Sequence, residues 1–132
     1  MNIIRTTHPE FPWRYERDTV HLVRGLPHEV TAEIRDKDGT LYSRIHWGHL
    51  FIYAGYQFDG CTCAVDFTRA LPGCGAHDAL LQMLAVYPGL FDEQIAHDAL
   101  RDIHTTSSFS LAWLYHFAVS GWPRKLYKRY SK

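Results

Sequence analysis

The 132-residue chain has few cysteines, no long apolar run and no acid in its last thirty residues. Its three cysteines, Cys61, Cys63 and Cys74, cannot all pair within the chain. An odd count fits a reducing compartment better than a disulfide scaffold. No apolar run approaches the roughly 18 residues that a membrane-spanning helix needs. The start, Met1-Asn-Ile-Ile-Arg-Thr-Thr-His-Pro, has no apolar signal core followed by a small-residue cleavage site. The expectation is a protein without a signal peptide, kept in a cytoplasm or released by lysis or packaging in a particle. No Walker loop, G-x-G-x-x-G, G-x-S-x-G or H-E-x-x-H string occurs, which excludes the commonest phosphate, dinucleotide, serine-hydrolase and zincin signatures. There is no internal repeat and no low-complexity linker.

The formal charge is zero, from 14 basic and 14 acidic side chains, but the two signs are segregated. Residues 1–102 hold nine Lys/Arg against fourteen Asp/Glu; residues 103–132 hold five Lys/Arg and no acid. The neutral average therefore hides an acidic body and a basic tail. Arg124, Lys125, Lys128 and Arg129, interleaved with Tyr127 and Tyr130, are the candidate contact for an anionic partner: phosphate, acidic protein or a membrane surface. A solvated terminus is the alternative.

The 46% hydrophobic and 14% aromatic content argues for a folded core, and the length for a single domain. Residues 1–18 read as an irregular arm. From 19 to 58 the period is two. Val30, Ala32 and Ile34 alternate with polar neighbours, as do Leu41, Ser43, Ile45 and Trp47, around the turn signal Asp36-Lys37-Asp38-Gly39. That pattern predicts a β-hairpin. Val20–Arg24 and His49–Phe58 are further strand candidates. Residues 61–75 read as a loop. Helical spacing then predicts Ala76–Val86, ended by Pro88-Gly89, Asp92–His104, and an apolar helix Ser110–Ser120 closed by Gly121. The expected fold is α+β: an N-terminal antiparallel sheet of three or four strands, then three packed helices over 59–122, then the tail 123–132.

Candidate chemistry concentrates in residues 59–78. Asp59 sits at a strand end, and the His77-Asp78 dyad is expected to open a helix. There the dipole disfavours imidazolium and favours carboxylate. His77 is the candidate general base, oriented by Asp59 or Asp66, with Thr62 supporting. Asp78 as a helix cap and His77 as a satisfied core histidine is the competing reading. His97-Asp98 forms a second pair. Asp78 and Asp98 are the candidate ligands for a divalent cation, calcium or zinc, against the alternative that Asp98 and Asp102 form a solvated acidic face. Cys61, Cys63, Cys74 and His77 form an alternative structural-zinc set, which would remove His77 from catalysis. Buried free cysteines are the competing reading. Trp13, Trp47, Trp113, Tyr115, Phe117 and Trp122 permit a stacking platform for sugars or bases, or core packing.

The string Gly55-x-x-Phe58-Asp59-Gly60-x-Thr62 resembles the G-x-x-x-D-G-[AC]-S segment of DUF1353, a domain of unknown function in small bacteriophage and prophage proteins. His77-Asp78-Ala79-Leu80 resembles that family's HD-x-L helix, and His97-Asp98-Ala99-Leu100 its A-D-x-x-[FL] element. The resemblance covers about residues 53–122. The chain departs from the family at Cys63-Ala64-Val65, where a proline is usual, and at Leu80-Leu81, where aromatics are usual. The resemblance implies phage origin, residence in the host cytoplasm or a virion, and a grouping of Asp59, Thr62, His77, Asp78 and Asp98. The HD helix is also similar to the catalytic helix of secreted phospholipases A2, where His activates water and Asp binds calcium, although the disulfides framing that helix are not expected here. HD-type metal phosphohydrolases share the paired His-Asp motif but are all-helical. Three functions follow as expectations: a hydrolase of the cell envelope, a non-enzymatic virion or assembly protein, or an inhibitor of a host system.

Overall fold

The structure is a computed structural model, and it describes residues 3–59 and 71–106. Among the described residues, seven short strands precede two helices, in the order β1 (Ile3–Arg5), β2 (Trp13–Tyr15), β3 (Thr19–Leu22), β4 (Ala32–Arg35), β5 (Leu41–His46), β6 (His49–Ile52), β7 (Gln57–Phe58), α1 (Leu71–Val86) and α2 (Glu93–Thr106). The α+β class holds, with a correction to the architecture. The strands form two antiparallel sheets, one ordered β1-β2-β7 and the other β3-β6-β5-β4. The segment 1–18, expected to be irregular, supplies β1 and β2. Ile3 pairs with Tyr15, and Trp13 pairs with Phe58 of β7. The third expected helix, at 110–120, and the basic tail lie outside the described residues.

The hairpin read from the alternation is present, with Ala32 opposite Ile45 and Ile34 opposite Ser43. Its turn is built by Asp36, whose Oδ1 accepts hydrogen bonds from the amides of Asp38 and Thr40 at 2.9 and 3.0 Å. Gly39 follows at φ 86°, a left-handed conformation that glycine adopts without steric cost. The next hairpin, β5–β6, closes with His46 opposite His49. Its two turn residues, Trp47 and Gly48, have φ of 51° and 74°. Two consecutive positive φ values mark a type I′ geometry, in which Asn-Gly is the usual pair. A tryptophan there costs about 1–2 kcal/mol in backbone strain.

Helix α1 is the centre of the molecule. Thirteen of its sixteen residues are buried, from Leu71 to Leu84. A helix apolar on all sides belongs in a core, and α1 packs against α2 and touches β4 and β6. Ile45, Leu50 and Ile52 of the larger sheet, and Tyr15 and Phe58 of the smaller, complete the core. Each such aliphatic side chain contributes about 1.5–3 kcal/mol on burial. Helix α1 begins five residues earlier than its spacing suggested. Pro72 falls in the first turn, where a missing N–H costs nothing. Helix α2 is amphipathic, with Ala96, Ala99 and Leu100 inward. It is capped by Asp92, whose Oδ1 accepts from the Gln94 amide at 2.9 Å. No helix among the described residues is long and apolar enough to cross a membrane.

Candidate functional site

His77 is the seventh residue of α1. It therefore lies in the second turn, and the expected action of the helix N-terminus on its charge does not apply. Because α1 is enclosed, the dyad is enclosed too: His77 is 2% exposed and Asp78 4%. The structure pairs His77 with the histidine of the second His-Asp pair, His97. His77 Nε2 lies 2.8 Å from His97 Nδ1, and the rings sit 5.0 Å apart, tilted by 36°. His97 Nε2 in turn lies 2.9 Å from Glu93 Oε2, one turn back along α2. The small residues Ala76, Ala79, Ala96 and Ala99 flank both histidines, which lets the two helices approach closely enough for the rings to meet.

The three groups form a series with one consistent proton arrangement. A carboxylate only accepts, so His97 Nε2–H donates to Glu93. Neutral His97 then accepts at Nδ1, so His77 Nε2–H donates to His97. In neutral His77 the basic nitrogen is Nδ1, which lies 3.9 Å from Asp78 Oδ1. The arrangement carries the logic of a carboxylate that fixes the tautomer of an imidazole, extended by one further imidazole. Burial pushes the His97 pKa below the usual imidazole value, and the Asp98 charge partly opposes it. Glu93, with 39% of its side chain exposed, is the end of the series nearest solvent.

Beside Asp78 stands Tyr15, fully enclosed. Its phenol pKa is raised by burial and, secondarily, by the Asp78 charge. Its hydroxyl has no hydrogen-bond partner among the described residues, and neither amide atom of buried Gln82 has one. Tyr15 presses on α1 at Gly75, where an added Cβ would meet the ring Cε1 at 2.9 Å. Only glycine fits at that position.

The remaining candidates distribute as follows. Asp59 directly follows β7 and is half-buried. Asp98 takes a hydrogen bond from Gln94 Nε2 at 3.0 Å and lies 3.5 Å from Arg101, on a side 36% exposed. That agrees with an acidic helix face balanced by neighbours rather than with a cation ligand paired to buried Asp78. Among the described residues no group of three or more His, Cys, Asp or Glu is arranged to hold a metal ion. Asp78 and Asp98 are not joined by a third such residue among the described ones, and Asp66 lies outside them. Cys74, one turn before His77, is disulfide-bonded. A disulfide sulfur is not a thiolate, so the zinc set Cys61, Cys63, Cys74 and His77 loses a ligand in this form. The same bond corrects the expectation that no disulfide reaches this helix. Thr62, Asp66, Cys61 and Cys63 lie outside the described residues, as do Trp113, Tyr115, Phe117, Trp122 and the cationic set Arg124, Lys125, Lys128 and Arg129.

The residue missed was His97. Its signal was the i, i+4 pair Glu93–His97, which places a carboxylate and an imidazole on one face of a helix. No family model, no curated protein and no solved structure matches the chain.

Proposed function

We propose that the protein is a phage-encoded hydrolase of the bacterial cell envelope, with His77 as general base. The observation that carries this reading is the Glu93–His97–His77 series, with spacings of 2.9 and 2.8 Å. Two imidazoles in series inside a core, with a carboxylate at its edge, cost desolvation that apolar side chains would avoid, and such groups cluster where proton transfer is needed. In the reaction, water attacks a scissile carbonyl and gives a proton to Nδ1 of His77. The imidazolium is stabilised by Asp78 and by its Nε2–H bond to His97. The proton then passes to the departing oxygen or nitrogen. Such a base contributes about 10²–10⁴-fold. Phage origin rests on the DUF1353 resemblance. Envelope ester or amide bonds, in phospholipid or peptidoglycan, are the substrate classes a phage must break. The disulfide at Cys74, a turn before the dyad, adds to the likeness to the phospholipase helix.

The test is an assay of purified protein on cell wall and on phospholipid, with and without calcium or zinc. Wild-type turnover lost in His77→Ala and Asp78→Asn supports the reading. An inactive wild type, or unaffected variants, contradicts it.

The burial of His77, Asp78 and His97 favours a second reading, a non-enzymatic virion or assembly protein in which the series fastens α1 to α2. Stoichiometric presence in purified particles without turnover would select it. Specific capture of a host protein would select an inhibitor instead.

A further inference from the structure

The core holds polar atoms that the histidine series does not use. Tyr15 Oη and both amide atoms of Gln82 are enclosed and meet no hydrogen-bond partner among the described residues. Both side chains are 1% exposed. An enclosed polar atom without a partner costs stability, and such atoms in native proteins usually face a water or a ligand.

The two side chains converge on one place. Gly75, Asp78 and Gln82 follow at spacings of three and four along α1, which puts them on one face of the helix. Tyr15 Oη lies against Gly75, and the Asp78 charge acts on the phenol. A long helical side chain leans back over the turn before its own, so Gln82 leans toward Asp78. Tyr15 and Gln82 therefore reach that carboxylate from opposite ends of the stripe, and His77 Nδ1 lies 3.9 Å from its Oδ1. We propose that Tyr15 and Gln82 hold an internal water molecule beside Asp78, and that this water is the nucleophile that His77 activates. That the water attacks substrate rests on the hydrolase reading above; that it is resident does not.

The chemistry of the atoms selects water. Gln82 offers an acceptor in Oε1 and a donor in Nε2, and the Tyr15 hydroxyl serves as either. An apolar molecule satisfies none of them, and a metal ion cannot use the donor. A water donates and accepts together, and buried waters settle where about two to four such groups meet. Burial, and secondarily the Asp78 charge, raise the phenol pKa, so Tyr15 keeps its proton and donates it in a hydrogen bond to the water oxygen. Gln82 Oε1 accepts one water hydrogen, which stays on the oxygen throughout. The other hydrogen passes to Nδ1 of His77 as a lone pair of the oxygen forms the bond to the scissile carbon. The π pair of the carbonyl moves onto its own oxygen. Tyr15 and Gln82 thus aim the lone pair that attacks.

The experiment joins water-selective NMR of the isotope-labelled full chain to turnover of cell wall and phospholipid. The side-chain amide hydrogens of Gln82 are expected to show contact with a long-lived water, weakened in Tyr15→Phe. Tyr15→Phe and Gln82→Met are each expected to lower kcat by about 10–10²-fold at unchanged KM, with the wild-type circular dichroism spectrum. No water contact at Gln82 in the wild type overturns the proposal and leaves the hydrolase reading standing, because the water would then arrive with the substrate. Wild-type kcat in both folded variants, or a change confined to KM, also overturns it alone. A wild type that turns over neither substrate overturns the hydrolase reading, and the water's role as nucleophile with it.

Discussion

His77 of α1 and His97 of α2 share a hydrogen bond 2.8 Å long inside the core, and Glu93 holds the far side of His97 at 2.9 Å. This contact joins the two helices through their only buried imidazoles among the described residues. It also fixes which nitrogen of His77 is basic. The sequence shows two His-Asp pairs, and the fold unites the two histidines rather than the two aspartates.

Glu93 is the accessible end of the series, so it can be changed with little disturbance of the core. Glu93→Gln keeps the shape but removes the charge that fixes the His97 proton on Nε2. On the hydrolase reading, kcat falls by about 10–10²-fold at unchanged KM and unchanged melting temperature. Steady-state kinetics beside a thermal melt checks this. Wild-type kcat in the variant would detach the series from turnover.

Acid should destabilise the fold through its buried imidazoles. Burial lowers the pKa of His97 and, separately, of His21 from 6.5. Between the lowered folded value and 6.5 the unfolded chain binds more protons than the folded one, so stability rises with pH across that window. Their contribution is complete above 6.5 and is lost as pH falls toward the folded values. Urea melts at stepped pH should show this decline, and His21→Gln should flatten part of it. Stability independent of pH below 6.5 would contradict the burial argument.

Gly75 is required by Tyr15. Gly75→Ala would put a methyl within 2.9 Å of the tyrosine ring. The expected cost is about 1–3 kcal/mol, the range for overpacking a tight core. Tyr15→Phe removes a hydroxyl with no partner among the described residues, so it should cost under about 1 kcal/mol. In Gly75→Ala it should recover part of the loss. A double-mutant cycle by chemical denaturation measures the coupling; additive effects would mean that the two do not touch.

Trp47→Asn should raise stability by about 0.5–1 kcal/mol, since asparagine tolerates the left-handed conformation better. A fall in the melting midpoint would show that Trp47 packs more than its exposure implies.

The legibility of the fold follows from the range of its interactions. The β4–β5 hairpin was readable because alternation and an Asp-Gly turn are local signals. The end of α1 at Pro88-Gly89 and the stripe of α2 were readable for the same reason. Strands β1 and β2 were not, since three residues are too few to establish a period and β2 pairs with distant Phe58. The first turns of α1 were hidden by Pro72, Gly73 and Gly75. One of these suits a helix start, and another is dictated by a tyrosine sixty residues away. The dyad was legible as chemistry, but its burial was not, because enclosure depends on both sheets and α2. His97 was read as a companion of Asp98, its chain neighbour, whereas its hydrogen bonds run to α1 and one turn back along α2.

The central claim is the proton arrangement along Glu93–His97–His77, and nitrogen-15 NMR of the histidine side chains tests it most directly. At a pH well above 6.5, both rings should appear as neutral Nε2–H tautomers, with a scalar coupling across the hydrogen bond between His77 Nε2 and His97 Nδ1. A His97 ring protonated at Nδ1, or no coupling between the two rings, would contradict the account.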